Sequence, residues 1–157
     1  MLFTYNSDTP NSTILFANFS SIQDLIKTPQ SVWDKLIKNK INTFLAPSKI
    51  AYRGPEVGAP PVKTKNGWLL IYCGESKKRE WTINAALLDL ENPQKILWQS
   101  KGPILKPEKL YEKRGVVTNV TFPEGAVIRN GKLMVYYGAG DKFCCLATAP
   151  VSAFSPI

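Results

Sequence analysis

Two stretches of the chain carry the same order of apolar and polar positions. The first is Ala59-Pro60-Pro61-Val62-Lys63-Thr64-Lys65-Asn66-Gly67-Trp68-Leu69-Leu70-Ile71-Tyr72-Cys73-Gly74. The second is Gly125-Ala126-Val127-Ile128-Arg129-Asn130-Gly131-Lys132-Leu133-Met134-Val135-Tyr136-Tyr137-Gly138. Leu69 aligns with Leu133, Tyr72 with Tyr136 and Gly74 with Gly138. In each copy two apolar runs flank an Asn-Gly pair. Both residues tolerate the positive φ that a type I′ turn needs, so each copy reads as a β-hairpin. The expected strands cover 68–72 and 132–137, each paired across its Asn-Gly turn.

A third apolar run follows each hairpin, at 82–90 and at 143–148. The opening segment Leu2-Phe3-Thr4-Tyr5-Asn6-Ser7-Asp8 resembles the segment 135–141, and a third strand over 13–19 follows it. The chain therefore holds three related units, the first without its opening strand. A hairpin-plus-strand unit recurring at long spacing is the mark of a propeller blade. The fold class is all-β: 157 residues forming one incomplete β-propeller domain of about three blades. A ring closes with about four to eight blades. The remaining blades then belong to a longer chain, to another chain or to a homo-oligomer. A meandering β-sandwich with similar hairpins is the other topology these patterns allow.

Between 31 and 41 the period changes. Val32, Trp33, Leu36, Ile37 and Ile41 fall at helical spacing, with Ser31 as a cap. Ile96-Leu97-Trp98 reads as a strand, 106–114 as a charged exposed loop, and 116–122 as strand again.

Composition narrows the function classes. No apolar run is long enough to span a bilayer, and no basic-then-apolar leader opens the chain. The net charge is +8, but the lysines are scattered through turns and accompany no nucleic-acid motif. They read as a solvated surface, with an anionic ligand as the weaker reading. Three cysteines do not make a disulfide framework. Cys144 and Cys145 read as small core residues in a reducing, cytoplasmic setting. The sequons at Asn11, Asn18 and Asn119 carry no weight.

The chain contains no histidine, which excludes Ser-His and Cys-His pairs and histidine metal sites. No metal site and no cofactor are expected. Carboxylates remain, and glycoside chemistry needs two of them. Glu56 lies in Arg53-Gly54-Pro55-Glu56-Val57-Gly58, and Glu124 lies in Phe122-Pro123-Glu124-Gly125. Both segments enter corresponding strands, so the two carboxylates are expected to face one ligand. Against that stands the ordinary reading of each as an exposed turn residue. Asp141 ends a hairpin strand in Gly138-Ala139-Gly140-Asp141.

Six strings occur in one order: 58–64, 67–72, Ala85-Ala86-Leu87-Leu88-Asp89-Leu90, Pro103-Ile104-Leu105, Asn119-Val120-Thr121-Phe122-Pro123 and Val135-Tyr136-Tyr137-Gly138-Ala139. Together they resemble the C-terminal part of glycoside hydrolase family 130, over roughly 53–149. The resemblance implies a five-bladed β-propeller acting on β-mannosides, either as an inverting phosphorylase or as a hydrolase. It places the general acid, an aspartate, in a segment ahead of Met1. Asp141 matches an aspartate that contacts the sugar at the cleaved end. Two phosphate donors of the phosphorylases are replaced, a histidine by Cys73 and a tyrosine by Trp81. Arg53 lies near the position of a third, a lysine.

These departures favour hydrolysis in the complete propeller. Glu56 and Glu124 are the expected catalytic pair that activates water. Asp141, Arg53 and Trp81 are the expected substrate-binding residues, Trp81 by stacking on a sugar ring. The expected partner is a β-mannoside oligosaccharide, with no nucleic acid and no membrane. One alternative is a non-catalytic, sugar-binding or degenerate propeller piece. Another is a phosphorylase with an altered phosphate site, with inorganic phosphate as co-substrate.

Overall fold

The computed structural model describes residues 1–39 and 42–154. In chain order the elements are β1 (Leu2–Tyr5), β2 (Thr13–Phe16), α1 (Ile22–Lys27), α2 (Gln30–Asn39), β3 (Thr43–Leu45), β4 (Pro55–Val57), β5 (Val62–Lys63), β6 (Trp68–Glu75), β7 (Trp81–Leu88), β8 (Ile96–Gln99), α3 (Leu110–Lys113), β9 (Thr121–Arg129), β10 (Lys132–Ala139) and β11 (Phe143–Pro150). A 3-10 turn at Val151–Phe154 follows.

The strands form three antiparallel sheets. The first has the order β1-β2-β3, and the last β11-β10-β9. The middle sheet runs β4-β6-β7-β8, with β5 also paired to β6. Each sheet is one repeat unit. β1, β6 and β10 are equivalent, as are β2, β7 and β11. Among the described residues, no strand pairs with β1 in the place that β4 and β5 take beside β6.

The middle sheet has both faces covered. Leu69, Ile71, Ile83, Ala85 and Leu87 pack against Leu133, Val135, Tyr137 and Ala139 of the last sheet. Leu70, Tyr72, Ala86 and Leu88 pack against Ile14 and Leu45 of the first. This is why β6 reads as an unbroken apolar run over 68–73, and β7 over 85–88. A strand with one wet face must alternate instead, and β10 does so, with Leu133, Val135, Tyr137 and Ala139 buried.

The two Asn-Gly turns differ. At the second, Arg129 pairs with Lys132, and Asn130 and Gly131 both take positive φ, 50° and 72°. That is the expected two-residue turn. At the first, Lys63 pairs with Trp68, so the loop is four residues, 64–67. The Thr64 hydroxyl accepts from the Asn66 and Gly67 N–H groups and closes the turn instead. Pro60 and Pro61, which lack N–H groups, split this inner strand into β4 and β5.

Other expectations are corrected. The first unit's third strand ends at Phe16, and α1 follows, capped by Ser21. α2 begins at Gln30, so Ser31 lies inside it, and Ile41 falls outside the described residues. The segment 106–114 is not simply exposed. It holds α3, whose Glu112 is 2% exposed. β9 starts at Thr121 rather than 116, because 116–119 bend across the last sheet. Cys144 is exposed and Cys145 half-buried. Both sit on the sheet's edge strand, β11, where Cys145 packs against the core and Cys144 does not.

Candidate active site: carboxylates around a buried thiol

The middle sheet delivers Cys73 to a closed position between two carboxylates. Cys73 faces Glu56 across the β4–β6 pairing. Its Sγ lies 3.5 Å from the Thr121 carbonyl of the last sheet. Burial pushes the thiol well above its ordinary value, and the charges of Glu56 and then Glu124 push it further. Glu56 and Glu124 therefore both sense one point, from the middle and last sheets respectively.

The two carboxylates are not equivalent. Glu56 is 4% exposed. Its Oε1 accepts from the Asp8 N–H at 2.8 Å, and its Oε2 accepts from the Ser7 hydroxyl at 3.1 Å. It ties the middle sheet to the first hairpin. Glu124 is exposed, and its Oε1 lies over Gly138. Among the described residues no hydrogen bond or ion pair occupies its carboxylate. The expected repeat match also shifts. Glu56 pairs with Cys73, whereas the Cys73 counterpart Tyr137 pairs with Pro123. Glu124 is the extra residue of a β-bulge between Pro123 and Gly125. A bulge re-aims a side chain, and here it turns Glu124 out to solvent.

Of the other expected residues, Trp81 opens β7 half-exposed, its ring 6.2 Å from that of Phe122 and tilted by 53°. The Trp81 N–H donates to the Asn119 carbonyl at 2.9 Å. Asp141 is exposed in the β10–β11 turn with φ 50°. Arg53 is committed elsewhere, because its guanidinium pairs with Glu75, which also pairs with Arg79 at 2.9 Å. The Arg53 Nε–H is not aimed along the contact, so charge alone holds that side of the pair. No group of three or more Cys, Asp or Glu among the described residues is placed to hold a metal ion. No helix among them is long and apolar enough to cross a membrane.

A family model for glycoside hydrolase family 130, described as β-1,4-mannooligosaccharide phosphorylase, matches residues 24–154. The chain belongs to glycoside hydrolase family 130. A 1,2-β-oligomannan phosphorylase of Thermoanaerobacter is 44% identical over 85 residues, 54% of this chain and 29% of the relative. A β-1,2-mannobiose phosphorylase of the same organism is 41% identical over 99 residues, 62% of this chain and 33% of the relative. The solved β-1,2-mannobiose phosphorylase of Listeria innocua, in complex with β-1,2-mannobiose, superposes with a TM-score of 0.64 at 34% identity. It covers 68% of this chain, which spans 30% of it. The matches thus extend over about a third of each relative's length. The three sheets are blades of the five-bladed family 130 propeller.

Within this family 130 framework, sequence reasoning missed four participants. Ser7 and Asp8, which hold Glu56, carried a signal in the likeness of 2–8 to 135–141. Glu75 aligns with Ala139 and carried none. Glu112 sits in a charged stretch whose local pattern looks like any surface loop.

Thiol labelling checks the environment of Cys73. A charged reagent at neutral pH should modify Cys144 quickly and leave Cys73 unmodified until the chain is unfolded, since the thiolate is the reactive form. Fast labelling of Cys73 in the folded chain would refute the closed, carboxylate-flanked site.

Proposed function

We propose that this chain handles β-mannosides in an inverting glycoside hydrolase, with water rather than phosphate as the acceptor. Glu124 holds the attacking water, and Asp141 and the Trp81–Phe122 pair contact the sugar. The general acid comes from another part of the propeller. Glu56 acts indirectly, by fixing the first hairpin.

One observation carries this reading. The free carboxylate beside Cys73 is Glu124, while both arginines at this end of the sheet, Arg53 and Arg79, are bound to Glu75. Phosphate needs several convergent donors. Here the surroundings of Cys73 are anionic and its own thiol stays neutral. A water molecule suits such a place, and a phosphate dianion does not.

A second reading, phosphorolysis, is favoured by the relatives at 41–44% identity, which are phosphorylases by name. The test joins this chain to the preceding blades of the Listeria innocua relative and supplies β-1,2-mannobiose with and without phosphate. Free mannose at a rate independent of phosphate is expected. Mannose 1-phosphate as the main product would replace hydrolysis by phosphorolysis. Sugar binding without either product would reduce the chain to a binding element.

A further inference from the structure

The segment 106–120 crosses the last two blades as a strap, and one buried carboxylate anchors it. Glu112 has its Oε2 filled by the Glu108 and Lys109 N–H groups, each at 2.7 Å. Its Oε1 accepts from the Tyr137 hydroxyl at 2.8 Å. Tyr137 lies in the core of the last sheet, 4% exposed. Burial alone would raise the Glu112 carboxyl, but the two N–H groups and the Tyr137 hydroxyl hold it below its ordinary value. It is thus a charged anchor, and hydrogen bonds to a charged group are among the stronger ones.

From that anchor the strap meets the last sheet through the Tyr111 ring, edge-on to Phe143 at 6.2 Å, and through backbone contacts. The Val120 N–H donates to the Glu112 carbonyl at 3.0 Å. The Gly140 N–H donates to the Val120 carbonyl at 3.1 Å, and the Gly140 carbonyl accepts from Val117 at 3.2 Å. Gly115 passes so close to Gly140 that a Cβ there would lie 1.9 Å from the Gly140 carbonyl oxygen. Gly140 immediately precedes Asp141. At the other end of the strap, the Asn119 carbonyl takes the Trp81 N–H. One strap therefore bonds the backbone of Trp81 on the middle blade and that of Gly140, the residue before Asp141, on the last.

The geometry points to Glu112, paired with Tyr137, as the positioning residue that sets Asp141 and Trp81 relative to each other for sugar binding. It rests on the β-mannoside reading above for the ligand, though not for the clamp itself. Glu112 reaches no substrate, since both its oxygens are occupied by the protein.

The test uses Glu112→Gln and Tyr137→Phe in this chain. Gln offers one oxygen, so either the Tyr137 hydroxyl or the N–H pair loses its acceptor. Tyr137→Phe removes the hydroxyl alone and keeps the ring in the core. Hydrogen exchange at the Val117, Val120 and Gly140 amides should quicken at least ~10-fold in both variants relative to the Leu70 amide. Affinity for β-1,2-mannobiose, measured by NMR titration, should fall ~10-fold. In an Asp141→Ala background neither change should weaken binding further, because the positioned group is already gone. A merely structural role would raise exchange evenly across the sheet and give additive losses of affinity, and either result overturns the proposal. If the unaltered chain fails to bind mannobiose, the functional reading fails. Exchange at Gly140 then decides the clamp by itself, and unchanged protection there refutes it.

Discussion

Glu124→Gln is expected to slow mannoside cleavage by ~10²–10⁴-fold in the completed propeller while leaving mannobiose affinity within a few-fold of its original value. The range is that for losing a positioned acid or base. The carboxylate is exposed and takes no part in the fold, so replacing it with an isosteric amide removes basicity and little else. Binding is unaffected because the sugar contacts are assigned to Asp141 and Trp81. Glu56→Gln is the instructive control. Its oxygens hold the Asp8 N–H and the Ser7 hydroxyl. An amide keeps one acceptor of the two, so stability falls along with activity. Rates and melting temperatures measured on both variants separate the two roles. Unchanged turnover in Glu124→Gln would remove Glu124 from the chemistry and leave the water-activating group to be found elsewhere.

Gly58→Ala should destabilise the fold by about 3 kcal/mol, at the upper end of the cost of overpacking a close contact. Gly58 follows β4 on the middle blade and meets the last blade at Pro123. A Cβ there would lie 1.9 Å from the Pro123 carbonyl oxygen and 2.7 Å from its ring. The obstructing atoms are backbone and a proline ring fused to it, so no side-chain rotation relieves the clash. The two blades must separate, and the apolar layer from Leu69 to Ala139 opens with them. For a chain of this size that corresponds to a fall in melting temperature of roughly 6–12 °C. A melting temperature within 2 °C of the original would show that the blades slide past each other at this contact. Because Pro123 adjoins the bulge that carries Glu124, the same substitution should also disturb the site.

Several features were legible from residue order because local physics decides them. Asn130-Gly131 makes a two-residue turn because both residues accept positive φ. The strands at 68–72 and 132–137 follow from apolar runs bounded by turn residues. The repetition of that unit gave the blade architecture and the count of three. The order of the six strings pointed to family 130, and the family match over 24–154 bears that out.

Other features were decided by contacts that the residue pattern does not show. Asn66-Gly67 has the same two letters as Asn130-Gly131, yet Thr64 closes its turn, because a neighbouring hydroxyl outcompeted the propensity of the pair. Glu112 looks like a loop residue until Tyr137, far along the chain, supplies the hydroxyl that fixes it in the interior. Cys144 looks apolar enough for a core but is exposed on an edge strand. Glu56 and Glu124 stand in similar strings, and only the pairing register shows one facing Cys73 and the other lifted out by a bulge. Residue order by itself determined the blades, their hairpins and the family. Which carboxylate is free and which is spent on structure was decided by tertiary contacts, because a carboxylate's role depends on whether a distant donor has already taken its lone pairs.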